Sequence, residues 1–259
     1  MNVILIAHTQ TSWMFDYDNP ERGRYKCTDG QAVALTAIRT CYSPGKPSEI
    51  VANEGAKYFG TAATDGEGGT DADRLFRMIF RSKHLSTLEH LTYTFAIEGV
   101  SRALLAQLTR HRVGFSFSVQ SQRYVKFGSD DKSGGFDYVT PESVDNRMVP
   151  STDRYEGERP YRESELTAEE VFDEFMEHAQ KTYDLLRKAG IPGEDARAVL
   201  PNAAACNLVM TGNLRALLDF YAKRQSGRGG QKEITQLAEA LRSEVVNAEP
   251  WTDQFFAEV

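Results

Sequence analysis

The spacing of apolar residues changes along the chain, and each change of period marks an element. Met1-Asn2-Val3-Ile4-Leu5-Ile6-Ala7 is an apolar run without a basic leader or a convincing cleavage site, so it reads as a first strand rather than a signal peptide. Gln31 to Cys41 is rich in Ala, Leu and Ile and reads as a helix stopped by Tyr42-Ser43-Pro44-Gly45. Thr61 to Thr70 is small and Gly-rich, a loop. From Asp71, the positions Leu75, Phe76, Ile79 and Phe80 have helical spacing, with Asp71 or Asp73 as the expected cap and an end near Lys83-His84. After Leu88-Glu89-His90 the period drops to two. Leu91, Tyr93, Phe95 and Ile97 alternate with Thr92, Thr94, Ala96 and Glu98, as in a half-buried strand. Ser101 then caps a helix striped by Leu104, Leu105 and Leu108, which delivers Gln107, Arg110, His111 and Arg112 at its C-terminal end. Phe115, Phe117 and Val119 alternate again, a further strand.

Lys126 to Glu165 is polar, carries Ser-Gly-Gly and several prolines, and shows no sustained period, so it reads as a long surface insertion and a candidate lid. Beyond it helices dominate. Thr167 with Glu170 forms a capping box that opens a helix striped by Val171, Phe172, Phe175, Ala179, Tyr183 and Leu186, closed by Gly190 and Pro192. A short helix is expected from Glu194 to Leu200, and a last one from about Glu233 to Asn247. Between them lies one from Asn213 to about Gln225, with Leu214, Leu217, Leu218 and Tyr221 inward. Eleven helical residues turn about 1100°, which puts Asn213 and Arg224 within about 20° of one face. No internal repeat is present. The whole predicts an α+β fold, a central, mainly antiparallel sheet flanked by helices, in a single domain over residues 1–259 with a polar insertion at about 126–165.

Composition narrows the setting. At 259 residues and 41% hydrophobic the chain can bury one sizeable core, yet no apolar stretch approaches the roughly 20 residues that cross a bilayer. Cys27, Cys41 and Cys206 are an odd number without C-x-x-C spacing, which argues against a disulfide framework and a zinc site, and a reducing cytoplasm fits. The five histidines are scattered, without metal-ligand spacing. A net charge of −7 opposes non-specific binding to nucleic acid or an anionic membrane, so an anionic ligand needs a local basic pocket.

Such a pocket has one obvious place. Between Glu98 and Asp130 there is no acidic residue, while Arg102, Arg110, Arg112, Arg123 and Lys126 lie inside. Arginine supplies planar, permanently charged forks suited to phosphate, and the Ser and Gln nearby add neutral donors that cost little to desolvate. Ser121 is a nucleophile by type, but no base adjoins it in sequence to activate it.

Arg110-His111-Arg112, then eight residues, then Ser121-Gln122-Arg123-Tyr124 resembles the signature of flavin-dependent thymidylate synthases: R-H-R, about seven residues, S-x-R. Arg39-Thr40-Cys41-Tyr42-Ser43 and Ser86-Thr87-Leu88-Glu89-His90 look like that family's helix end and flavin-contacting turn, and Gly99-Val100-Ser101-Arg102 like the run into the helix before the motif. Downstream, Arg197 before Leu200-Pro201, and Asn213-Leu214-Arg215 leading to Arg224, match further ligand positions. The resemblance spans most of the chain, apart from the Gly-rich loop and the insertion.

The resemblance implies an FAD-dependent methyltransferase of nucleotide biosynthesis that converts dUMP to dTMP. Methylenetetrahydrofolate would be the one-carbon donor and reduced FAD, recharged by NADPH, the hydride donor, in a homotetramer with sites shared between subunits. It implies dUMP ligands at Gln107, Arg110, Ser121, Gln122, Arg123, Arg197 and Arg224, with Arg224 also the catalytic group that stabilises negative charge on the pyrimidine. Flavin ligands are implied at His90, Thr92, Arg110, His111, Arg112, Asn213, Arg215 and Asp219, the last standing where the family often has Asn. Hydride from a flavin also makes sense of the basic segment's lack of an adjoining cysteine.

Blander readings stand beside these. An arginine cluster alone is usually a solvated or salt-bridged surface. His90 serves equally as a cap, and Phe115 and Phe117 as core strand residues rather than stacking platforms. Gly227, Gly229 and Gly230 follow a helix and lack a Lys-Ser/Thr ending, so they read as a turn rather than a phosphate loop. The rival of another class is a single-stranded RNA-binding module, with Arg110, Arg112, Arg123 and Lys126 on phosphates and Phe115, Phe117 and Tyr124 stacking on bases.

Overall fold

A computed structural model describes residues 1–149 and 166–259 of the protein, and in it four strands pair into one sheet. They are β1 (Asn2–His8), β2 (Thr92–Ser101), β3 (Phe115–Val119) and β4 (Ala205–Asn213), in the order β1-β2-β4-β3. The register is antiparallel. Thr94 and Thr211 share a hydroxyl hydrogen bond at 2.9 Å, and five residues on Gly99 N donates to Asn207 Oδ1, also at 2.9 Å. Against β3, Asn213 N donates to Gly114 O at 3.2 Å and Gln120 N to Asn207 O at 2.9 Å. The helices are α1 (Trp13–Asp18), α2 (Asp29–Thr40), α3 (Ile50–Gly60), α4 (Asp71–Arg81), α5 (Arg102–Leu108), α6 (Ala168–Lys188), α7 (Gly193–Ala196), α8 (Leu214–Arg224), α9 (Lys232–Ala248) and α10 (Asp253–Ala257). The α+β class with a mainly antiparallel sheet is therefore correct.

Four elements go beyond the sequence reading: β4, α3, α1 and the five-residue α10, which follows the helix expected to be the last. Strand β4 does carry a period of two, Cys206, Leu208, Met210 and Gly212 being buried, but its apolar outward residue Val209 blurs the alternation. Helix α3 contains Gly55 and Gly60, which weaken a helical pattern, and α1 has only six residues, none buried. Two details are corrected. The cap of α4 is Thr70, whose hydroxyl accepts from Asp73 N while Asp73 reaches back to Thr70 N, so Asp73 completes the cap and does not form it. The buried face of α6 runs through Met176, Ala179 and Tyr183, whereas Val171 and Phe175 are 42% and 55% exposed.

The chain gathers into two compact units, each assembled from separated segments. The first comprises Met1–Ile97, Thr109–Ser118 and Val209–Val259; the second comprises Glu98–Leu108 and Val119–Leu208. Buried residues of the first include Leu35, Ile38, Phe76, Phe95, Phe220, Leu237 and Phe255, with Phe76 packed on Trp251 and Phe80 stacked on Phe255 at ring separations of 4.7 and 5.0 Å. The core of the second joins Phe127 and Phe136 to Met176, Ala179, Tyr183, Ala196 and Ala204.

That second core revises the surface insertion. Residues 126–149 contain no helix or strand, yet they are tied to α6. Tyr183 Oη accepts from Phe127 N at 3.2 Å, and Gln180 bridges Phe136 N and Phe127 O at 2.9 Å each. The expected insertion's remainder, 150–165, lies outside the described residues. Among the described residues no helix is long and apolar enough to cross a membrane.

Candidate active site

In the first unit the chain turns between Thr109 and β3, and this turn carries Arg110, His111 and Arg112. Gly114 makes the turn possible. Its φ of +77° is one that residues with a side chain rarely adopt, and a Cβ there would lie 2.7 Å from Ala216 Cβ. The backbone thus lies flat on the start of α8, where Asn213 caps the helix by accepting from Ala216 N at 2.9 Å. Arg110 and Arg112 are exposed, and neither has an ion pair among the described residues. From the last residue of α8, Arg224 Nε donates to His111 Nε2 at 3.2 Å, and the imidazole stands edge-on to Phe220 at 4.9 Å. Burial and the Arg224 charge hold the His111 pKa below its ordinary value, so the neutral ring that can accept this bond is favoured.

Two cavities of about 510 Å³ lie in this unit. One is lined by Lys83, Leu85, Glu89, Val113 and Gly114 together with Asn213, Arg215, Leu218 and Asp219 of the β4-α8 region. Its charges are partly matched. Arg215 pairs with Glu89, and Lys223 Nζ with Asp219 at 2.7 Å. His90 lines the other cavity, with Thr11, Ser12, Thr36, Thr40 and Cys41. Thr92 begins β2 and is tied to the end of β1, its N donating to Thr9 Oγ1 at 2.8 Å. Of the flavin positions implied by sequence, Asn213, Arg215 and Asp219 line the first cavity and His90 the second, whereas Thr92, Arg110, His111 and Arg112 line neither. Cys41, distant from the basic segment in sequence, shares a cavity with His90.

In the second unit Gln122 is buried, while Gln107 and Ser121 are half-buried, and Ser121 Oγ accepts from Arg123 N at 3.2 Å. Arg123 is not free. Its Nε pairs with Glu194 at 2.6 Å, and Arg197 Nε donates to the Glu194 carbonyl at 3.0 Å. Glu194 was absent from the residues singled out by sequence. Its position three residues before Arg197, on the short helix, was the available signal, but only the fold shows that it faces Arg123.

One geometric expectation is corrected. Asn213 has an extended backbone, φ −84° and ψ 161°, and caps α8 from outside, so it does not share a helical face with Arg224. The two stand at opposite ends of the helix, about 16 Å apart by its rise. A small ligand cannot bridge that span; an extended one can.

The RNA-binding alternative has no support. Two of the three rings offered for base stacking are engaged elsewhere, Phe115 lying on Phe117 at 5.9 Å and edge-on to Phe220 at 6.2 Å, while Tyr124 is exposed beside Arg123. Comparison with known proteins points elsewhere. The family described as "Thymidylate synthase complementing protein" matches residues 25–251. A flavin-dependent thymidylate synthase of Geobacter sulfurreducens is 36% identical over 215 residues, 83% of this chain and 77% of that protein. One from Clostridium tetani is 31% identical over 238 residues, 85% of this chain and 79% of that protein. Among solved structures, the flavin-dependent thymidylate synthase ThyX of Helicobacter pylori, complexed with FAD and dUMP, superposes with a TM-score of 0.61 at 22% identity, over 100% of this chain and 99% of that one. The UMP/dUMP methylase PolB of Streptomyces cacaoi, bound with 5-Br dUMP, gives 0.65 at 22% identity, over 99% and 94%. At this identity the structures speak to the fold, and the sequence matches over most of both chains place the protein in the flavin-dependent thymidylate synthase family.

Proposed function

We propose that the protein methylates dUMP to dTMP, with methylenetetrahydrofolate as one-carbon donor and FAD, recharged by NADPH, as redox cofactor, in a cytoplasmic homotetramer with sites shared between subunits. The observation that carries this reading is the meeting of Arg224 with His111 of the Arg-His-Arg motif, with Arg110, Arg112 and Arg224 all lacking an ion pair among the described residues.

The donor set fits FAD. Arg110 and Arg112 are uncommitted cations for a diphosphate, and the cavity beside Asn213 and Arg215 has the size and mixed lining of a ligand pocket. Asp219 adds a negative charge, but Lys223 offsets it. His90 and Thr92 supply the second group of contacts, and His111 a ring nitrogen. When bound and reduced, FAD supplies the hydride.

The protein's own work is binding and electrostatics. Gln107, Arg110, Ser121, Gln122, Arg123 and Arg197 hold the nucleotide's phosphate, sugar and base edge, and position it for reaction. Arg224 places a fixed positive charge where negative charge develops on the pyrimidine ring, and a preorganised charge needs no rearrangement as the reaction proceeds.

The test is direct. Purified protein should show flavin absorption or take up added FAD, and should form dTMP from dUMP with methylenetetrahydrofolate and NADPH. A protein that binds no FAD in a fluorescence titration and makes no dTMP sinks the reading.

A further inference from the structure

Arg224 ends its helix without a carboxylate to hold it. An arginine side chain so placed is free to swing, and a swinging guanidinium is a poor electrostatic catalyst because it must be ordered during the reaction. The single side-chain hydrogen bond that restrains it among the described residues is the one from its Nε to His111 Nε2, at 3.2 Å. We propose that His111 is a positioning residue for Arg224, its neutral imidazole orienting the guanidinium so that both Nη groups face the substrate. This rests on the role given to Arg224 above.

The choice of partner matters. A carboxylate would orient Arg224 equally well, but it would also cancel the positive charge that the pyrimidine needs. A neutral imidazole accepts the hydrogen bond and leaves the charge intact. The ring is itself fixed, edge-on to Phe220, which lies one turn before Arg224 on α8, is buried, and has Phe115 edge-on to it as well. For Nε2 to accept, the neutral ring must carry its proton on Nδ1, which stays available as a donor to a bound ligand.

The surroundings keep the ring neutral. Arg224, Lys223 and Asp219 face it from α8 and Arg110 from its own segment, three cations against one carboxylate. Burial first, then the Arg224 charge, lowers its pKa from the ordinary 6.5. Above that lowered value the ring accepts from Arg224. As pH falls through it, the ring gains a second N–H, can no longer accept, and repels the guanidinium. Turnover should therefore show an acid limb with its midpoint below 6.5, traceable to His111.

Two measurements test this. Imidazole nitrogen NMR of the substrate-free protein should show His111 as the Nδ1–H tautomer titrating below 6.5, and Arg224→Ala should move that titration upward by removing both the donor and the charge. In kinetics at saturating FAD, His111→Leu should lower kcat on the order of tenfold with a smaller change in the KM for dUMP. His111→Gln, whose carbonyl can accept in place of Nε2, should restore most of the turnover and abolish the acid limb. An acid limb that persists in His111→Gln, or turnover no better in that variant than in His111→Leu, overturns the proposal. If Arg224→Ala lowers turnover but leaves the His111 titration unmoved, the positioning role alone falls. If Arg224→Ala keeps normal turnover, the catalytic role of Arg224 falls and the proposal with it.

Discussion

Arg110, Arg112 and Arg224, in the first unit, have no carboxylate partner among the described residues, whereas Arg123, in the second, is paired with Glu194, which also holds Arg197 through its carbonyl. The same residue type is thus kept in two electrostatic states. An unpaired guanidinium presents its full charge, which suits Arg224 at a place where charge develops during reaction and leaves Arg110 and Arg112 open to a diphosphate. A guanidinium already facing an acid is oriented and partly neutralised, which suits an anchor whose phosphate ligand exchanges with the resident carboxylate. The Arg123 and Glu194 side chains are 57% and 45% exposed, so water screens their attraction and the exchange costs little.

The sharpest way to break this contrast is to remove one arginine from each set. Arg224→Ala should lose on the order of a hundredfold or more in kcat at saturating dUMP, comparable to deleting one preorganised donor to a developing anion. Arg123→Ala should instead weaken dUMP binding, on the order of tenfold, as expected for a lost hydrogen bond to a charged group. Steady-state kinetics on both variants separate turnover from binding, and identical changes in the two would erase the distinction. A smaller effect reports on the scaffold of the first set. Gly114→Ala should destabilise the fold by about 1–2 kcal/mol from backbone strain alone, with an added penalty for the contact with Ala216, and should weaken FAD uptake. Thermal melts with and without FAD check both effects.

Smaller still is the acid in the second set. Glu194→Gln should tighten dUMP binding by at most about fivefold, because an exposed pair is worth roughly 0.2–1 kcal/mol. Calorimetric titration of dUMP checks this; weaker binding would mean that Glu194 orients Arg123 more than it competes for it. The least change is expected from the thiols. With Cys27 and Cys41 replaced by Ser and the buried Cys206 by Ala, dTMP formation should stay near the parent rate, and a folded but inactive variant would point to a thiolate in the chemistry.

The pH dependence of stability has a definite sign at His111. Its folded pKa lies below 6.5, so as pH drops past that value the unfolded chain takes up the proton first. Stability at this group is full above 6.5 and is lost as pH falls toward the lowered folded value.

Local patterns were legible wherever one face of an element is buried. The capping box of Thr167 and Glu170, the alternation through Tyr93, Phe95 and Ile97, and the stripe of α8 all appear as read. The arginine motif was legible for a different reason, since its residues are close in sequence and of unusual type. Legibility failed where neighbours in space decide the outcome. Nothing near Phe127 or Phe136 in sequence shows that they are core residues, because α6, which buries them, begins some forty residues later.

Sequence alone therefore determined the helices and strands with a clear apolar period, the acid-free basic segment, and the identity of the charged groups, since each depends on residues within a few turns or one strand of each other. Tertiary structure decided which charges meet. Arg224 and His111 are 113 positions apart, Arg123 and Glu194 lie on segments separated by a long connection, and Arg215 reaches Glu89 across 126 positions. An arginine reads the same in sequence whether it faces a carboxylate, an imidazole or water, and its charge becomes anchor or catalyst only when the folded chain supplies the partner.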